Sequence, residues 1–333
     1  MKFITPLTLD ELLQIIDSNV IVKGERQIEI TGINEIHSVE PGDLSFVDHP
    51  KYYDKVLNSK AKVVLINREE EVPEGKTLLI SEDPLEDFLK VSRHFVKFKP
   101  QKEAINPNAK IGENTIIQPN VFIGDNVIIG KNCIIHSNVS IYSDTIIGDN
   151  VIIHSGSVIG ADACYYQKRA SGWKKLDSCG RTIIENDVEI GCNVTIDKGV
   201  SGDTFIGEGT KFDNTVQVGH DTHIGKRSLI SSHCAIAGCT YIDDEFILWG
   251  KSCVNKELYV APRTTVLAMS ALDKDVKEPN TTLFGMPAGD VRTKWREMAY
   301  TKRFPELFEK IENLKKELEA LKFSLDNSIY KEL

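Results

Sequence analysis

The sequence predicts a mainly β protein: a parallel β-helix, with a small α/β domain before it and a helical extension after it. Three observations carry this. An apolar residue stands at every sixth position in three phased runs, from Ile105 to Ile159, from Ile184 to Ile196, and from Ile206 through Phe212 and Val218 to Leu272. No such period exists in the first hundred residues, where strand-like and helix-like patterns alternate. The end of the chain changes to a heptad. The sixfold period fits neither a helix period of 3.6 nor a single alternating strand. It fits short strands wound in coils, three hexads to a coil, with one inward residue per strand.

Residues 1–100 form the first predicted domain. Thr8-Leu9-Asp10-Glu11 is a capping box that opens a helix from Leu9 to Ile16. Strand-like runs follow at 29–33, 43–47, 61–66 and 77–80, with helix-like pieces at 50–57 and 84–95. Residues 97–108, with Pro100 and Pro107, read as a linker.

Residues 101–288 are the predicted β-helix. Inward Ile, Leu and Val stack in columns, and the next residue is often Gly (Gly112, Gly130, Gly207, Gly225), which we read as a corner requirement. The repeat fails from 161 to 182, a segment carrying Tyr165, Tyr166, Trp173, Lys174 and Lys175. Insertions in solenoids become loops on one face, often the binding face.

Residues 289–333 are predicted helical. Leu307, Ile311, Leu314, Leu318, Leu321 and Leu325 alternate spacings of four and three, a heptad seam of about three heptads. So short a seam fits subunits already brought together, and a symmetric trimer is expected.

A net charge of −9 argues against a nucleic-acid surface. No stretch approaches the ~20 apolar residues of a membrane span, and the start lacks a signal-peptide pattern. Seven dispersed cysteines without a C-x-x-C pair read as reduced thiols, hence a cytoplasmic protein.

Stacking of residue i on i+18 turns spacing into contact. His220 lies at a corner, two residues after inward Val218, and Gly238 occupies that corner one coil on. Asp213 lies near the preceding corner. A carboxylate, an imidazole and a backbone N–H converging at one edge suit acyl transfer. The histidine deprotonates the acceptor, the aspartate holds its tautomer, and the N–H stabilises the tetrahedral oxyanion. On spacing alone, an exposed corner histidine is more often simply solvated.

The stretch GRTIIENDVEIGCNVTIDKGVSGDTFIGEGTKFDNTVQVGHDTHIG (180–225) resembles the UDP-3-O-acylglucosamine N-acyltransferase family. The resemblance spans all three sections and rests on the TIDKG-x-x-GDT slip and the DN-x-x-Q-x-x-H sequence. It implies a left-handed helix and transfer of a 3-hydroxyacyl group from acyl carrier protein to a sugar-nucleotide amine in lipid A biosynthesis. It needs no cofactor beyond the carrier's phosphopantetheine, and no metal. It makes His220 the base, Asp213 its partner and Gly238 the oxyanion donor, with Asn214 and Gln217 in the same motif. PGDLSFVDHPKYY resembles the family's uridine site, which implies Phe46, His49 and Tyr52 as uracil contacts, with His49 replacing an asparagine. Two further positions depart from the family. Glu257 stands where it has a second histidine, and Tyr166 alone fits its aromatic segment cleanly. The family's use of carrier-bound thioesters makes Arg292, Lys294, Arg296, Lys302 and Arg303 the expected docking patch for the acidic carrier.

Other readings stay open. His136 and His154 are 18 apart and stack, so a metal-dependent β-helix enzyme is an alternative to a polar ladder. A non-catalytic paralogue and transfer to a different amino or hydroxy sugar nucleotide are the others.

Overall fold

The computed structural model describes residues 1–17 and 19–329, with side chains inside the last helix described to residue 323. The hexads wind into three parallel sheets of eight, ten and eight strands, the second ending in an antiparallel turn-back. Register follows the repeat: Ile129 sits beside Ile111 and Ile147, and Val218 beside Ile196 and Ile236. The inward residues from Ile123 to Leu272 form one buried column, while Ile105 and Ile111 at the open first coil stay exposed.

The corners correct one expectation. Left-handed backbone falls three residues after the inward residue, at Asn114, Asn132, Asn150, Asp221, Cys239 and Glu257 among others. Asn and Asp tolerate this region better than most residues. The glycines one place after the inward residue serve a different need. A Cβ on Gly207 or Gly225 would lie 2.6 Å from backbone carbon of the next coil. They are glycine because adjacent coils touch there.

The first domain is a mixed six-stranded sheet with its own core. The capping box forms as read, Thr8 accepting from the Glu11 amide at the start of α1 (Leu9–Ile16). The remaining helices here are α2 (Tyr53–Leu57) and α3 (Pro84–Phe95). Two strands escaped the sequence reading, Lys2–Thr8 and Ile21–Gly24. Both pair antiparallel at the sheet edges, and their hydrophobic alternation is weak because no residue of either strand is fully buried.

The insertion is an antiparallel hairpin, Tyr166–Arg169 with Gly172–Lys175, rather than an irregular loop. It is clamped to the first domain. Arg169 donates to Asp48, and Lys174 bridges Asp83 and Glu86 at 3.1 and 2.7 Å. Beyond the β-helix lie α4 (Val291–Thr301) and α5 (Phe304–Ile329). The seam residues Leu307, Ile311, Leu314, Leu318 and Leu321 are all exposed in the single chain. Leu325 lies outside the described side chains.

Candidate active site

His220 and Gly238 share one corner of consecutive coils. The Cys239 amide donates to the His220 carbonyl at 2.8 Å, and a Cβ on Gly238 would lie 2.7 Å from His220 Nε2. Glycine is therefore the residue that lets the imidazole lie over this corner. At several comparable positions, though not all, the amide is capped by a side chain. Lys131 N–H donates to Asp149, Cys192 N–H to Asn214 and Lys226 N–H to Asp244, at 2.7–2.8 Å. The Gly238 N–H has no acceptor among the described residues.

The carboxylate on His220 is Asp221, not Asp213. Asp221 Oδ2 lies 2.8 Å from His220 Nδ1 and accepts from the Val200 amide, while Oδ1 accepts from Gly202. Those amides belong to the slip at 197–203, so the break in the repeat builds the cradle that orients the aspartate. Burial pushes Asp221 up, but the bonds from His220 and Val200 outweigh it and hold the carboxyl below its ordinary value. It stays ionised beside the imidazole. Asp213 sits seven residues earlier, one residue more than a full side of the triangular coil. It lies at a different corner, where it accepts from the Asn214 and Ser232 amides. Asn214 likewise caps the Cys192 amide, and Gln217 lies on the adjoining face, bonded to Thr195 and Asp197. These three hold the coil and do not line the cleft.

His220 is also less exposed than a corner suggests, its side chain 12% accessible. Tyr165 covers it, ring centroids 4.7 Å apart, and donates to Glu35 of the first domain at 3.1 Å. The other Glu35 oxygen is buried without a partner among the described residues. Burial, then the Asp221 charge, raise Glu35 to about 7. Burial and Glu35 likewise push the Tyr165 hydroxyl well up, so it remains a donor.

His220, Gly238 and Tyr165 wall a cleft of about 670 Å³, lined also by His37, Tyr166, Trp173, Cys239, Lys256 and Glu257. Tyr166 and Glu257 are thus at the cleft, and Glu257 is paired with Lys256 at 3.3 Å. The sequence reading missed Asp221, Glu35, His37 and Cys239. Asp221 had a usable signal, since it follows His220 directly at a left-handed corner. The others become neighbours only when the first domain docks.

Phe46 is half-buried, its ring 4.8 Å from Phe88, and it packs with Tyr165 against the cluster joining hairpin and first domain. His49 Nδ1 accepts from the Lys51 amide, leaving one ring nitrogen for a ligand, and Tyr52 is exposed nearby. The five cations at the far end are exposed or half-exposed around α4, with Lys294 paired to Glu297. Arg303 lines a second cavity of about 520 Å³ with Tyr300, Phe304 and Leu307. His136 and His154 stack at 4.9 Å, and His154 meets Glu189 at 3.1 Å. That acidic neighbour was not foreseen, because the hairpin lengthens the coil and places Glu189 35 residues on.

The chain is similar to known proteins. Residues 27–94 match the family model for UDP-3-O-(3-hydroxymyristoyl) glucosamine N-acyltransferase, LpxD. Residues 126–161 match the bacterial transferase hexapeptide model of six repeats. A UDP-3-O-acylglucosamine N-acyltransferase of Albidiferax ferrireducens is 37% identical over 329 residues, covering 95% of this chain and 98% of the relative. UDP-3-O-acylglucosamine N-acyltransferase 1 of Sulfurimonas denitrificans is 40% identical over 300 residues, covering 84% and 93%. A solved UDP-N-acetylglucosamine acyltransferase from Campylobacter jejuni shares the fold, with a TM-score of 0.50 and 21% identity over 56% of this chain and 71% of that one.

Proposed function

We infer, from the premise that this chain belongs to the UDP-3-O-acylglucosamine N-acyltransferase family, that His220 is the general base of an acyl transfer to the amine of a UDP-3-O-acyl-glucosamine. The donor in this reading is a 3-hydroxyacyl thioester on acyl carrier protein. The observation that carries it is the pairing of a carboxylate-held imidazole with an uncapped N–H, Gly238, on the same corner.

The chemistry follows from the geometry. Asp221 fixes the proton on Nδ1, which leaves Nε2 as the acceptor facing the cleft. Nε2 takes the proton from the attacking amine as nitrogen bonds to the thioester carbon. Gly238 N–H donates to the oxygen that becomes negative. Collapse expels the carrier's thiolate, which takes the proton back from the imidazolium. No protein nucleophile and no cofactor is needed. Phe46, His49 and Tyr52 form the uracil subsite in this scheme, and Tyr166 and Glu257 border the sugar.

We propose a homotrimer in the cytoplasm. Two features support it: the exposed apolar seam on α5, and an aromatic strip of Phe205, His223, Tyr241 and Tyr259 stacked up one face, half-buried at the first two and exposed at the tyrosines. His223 begins the strand after the His220 corner, so a second copy on this strip borders the cleft. Among the described residues no helix is long and apolar enough to cross a membrane. The carrier is proposed to dock on Arg292, Lys294, Arg296, Lys302 and Arg303. Charge reversal at Lys302 and Arg303 then raises the KM for carrier alone.

The test is His220→Ala, assayed with 3-hydroxyacyl carrier proteins and amino or hydroxy UDP-sugars and read by mass spectrometry. Turnover falls by roughly 100-fold or more. Wild-type turnover in the variant removes the base, and product only on hydroxy sugars removes the amine acceptor.

A further inference from the structure

The catalytic corner continues as a column whose middle member, Cys239, has no part in the proposed acyl transfer. Asp221, Cys239 and Glu257 occupy the same left-handed position on three successive coils. The first domain places His37 against the middle of this column. His37 Nε2 lies 3.4 Å from Cys239 Sγ, and Cys239 Sγ lies 3.9 Å from His220 Nδ1. One donor atom each from His37, Asp221 and Cys239 lie within 4.8 Å of one another.

We propose that His37, Cys239 and Asp221 form a binding site for a thiophilic divalent cation of the zinc class, and that its occupation silences His220. Zinc with sulfur, nitrogen and oxygen ligands sets its donors about 3–4 Å apart. The imidazole–thiol pair already has that separation, and a small approach of the carboxylate completes three ligands. His37 and Cys239 line the cleft, which gives the ion its entry path. The field is right for a cation. Burial, then the charges of Asp221, Glu35 and Glu257, push the Cys239 thiol well up, so it holds a proton that a cation must displace, while those same carboxylates attract the cation and Lys256 is turned to Glu257. Asp221 retains acceptor capacity for a cation, since among the described residues Oδ1 accepts only the Gly202 amide. On binding, the Cys239 thiol releases its proton to solvent and no electrons move. The cation draws charge from Asp221, which then supports an imidazolium on His220 less well. Inhibition therefore rests on His220 being the base, whereas binding does not.

Cobalt titration of the purified full chain tests the site without substrate. The wild type is expected to give a thiolate-to-cobalt charge-transfer band saturating at one ion per chain, displaced by zinc. Cys239→Ser is expected to lose the band, and His37→Gln to lose the tetrahedral visible absorption, with thermal melts confirming that both variants fold. No band in the wild type, or an undiminished band in Cys239→Ser, overturns the site. Zinc is expected to stop acyl transfer by the wild type at the concentration that displaces cobalt. Cobalt binding with full acyl transfer overturns the inhibitory role and leaves the site standing.

Discussion

Two corners of one β-helix have the same backbone and opposite fates. At the first, Asn114, Asn132, Asn150 and Asp187 stack in left-handed conformation and bond to one another at 3.1–3.4 Å. The Lys131 amide beside them is capped by Asp149. At the second, Asp221, Cys239 and Glu257 hold the same position. Their polar groups turn to His220, to the first domain and to a cleft, and the Gly238 N–H is left uncapped among the described residues. A solenoid corner that satisfies itself is scaffold. The second corner instead leaves the Gly238 N–H and His220 Nε2 side by side without partners among the described residues, which is the arrangement the proposed acyl transfer uses.

Exchanging the partner carboxylates breaks the comparison most strongly. Asp221→Asn is expected to lower kcat by about 100-fold, since the amide no longer fixes the histidine tautomer. Asp213→Asn should lower the melting temperature more than kcat, because Asp213 holds the Ser232 and Asn214 amides. Steady-state rates and thermal melts of the pair decide it, and equal kcat losses would restore Asp213 to the site.

Phe46→Ala probes the first domain. Loss of a stacking face should weaken UDP-sugar binding by about 1–3 kcal/mol in calorimetry, by analogy with base–aromatic platforms, and leave carrier binding unchanged. Unaltered sugar-nucleotide affinity would assign Phe46 to the Phe88 and Tyr165 packing alone.

The smallest effect concerns Glu35. Its folded value of about 7 lies above the ordinary 4.5, so the folded chain keeps a proton that the unfolded chain has lost. Stability therefore declines as pH rises from about 4.5 to 7 and levels off above. Glu35→Gln removes that decline and should gain roughly 1–2 kcal/mol over wild type at pH 8, with little gain near pH 4.5. Parallel pH-dependence of the two denaturation curves would show that Glu35 is ionised in the folded protein.

The β-helix was legible because its rule is local: one apolar residue in six, stacked eighteen apart. His220 over Gly238 followed from the same arithmetic. What spacing could not reach depended on departures from it. Asp213 looked right by distance along the chain, but seven residues is a side and a step, which carries it past a corner. Asp221 was adjacent in sequence and was passed over because its cradle, the Val200 and Gly202 amides, exists only through the slip. His37 reaches the cleft, and Glu35 the Tyr165 hydroxyl behind it, through domain docking, which no periodicity encodes.

Gly238→Ala set beside Gly130→Ala tests the central claim most directly. A Cβ at Gly238 would lie 2.7 Å from His220 Nε2, whereas one at Gly130 would lie 2.5 Å from the Gly148 backbone at the self-satisfied corner. With kcat and melting temperature measured on both, Gly238→Ala should lose about 100-fold in kcat with a small change in melting temperature. Gly130→Ala should melt earlier with kcat kept. Full turnover in Gly238→Ala, or an equal loss of kcat in both variants, would contradict an active corner made of His220, Asp221 and the Gly238 N–H.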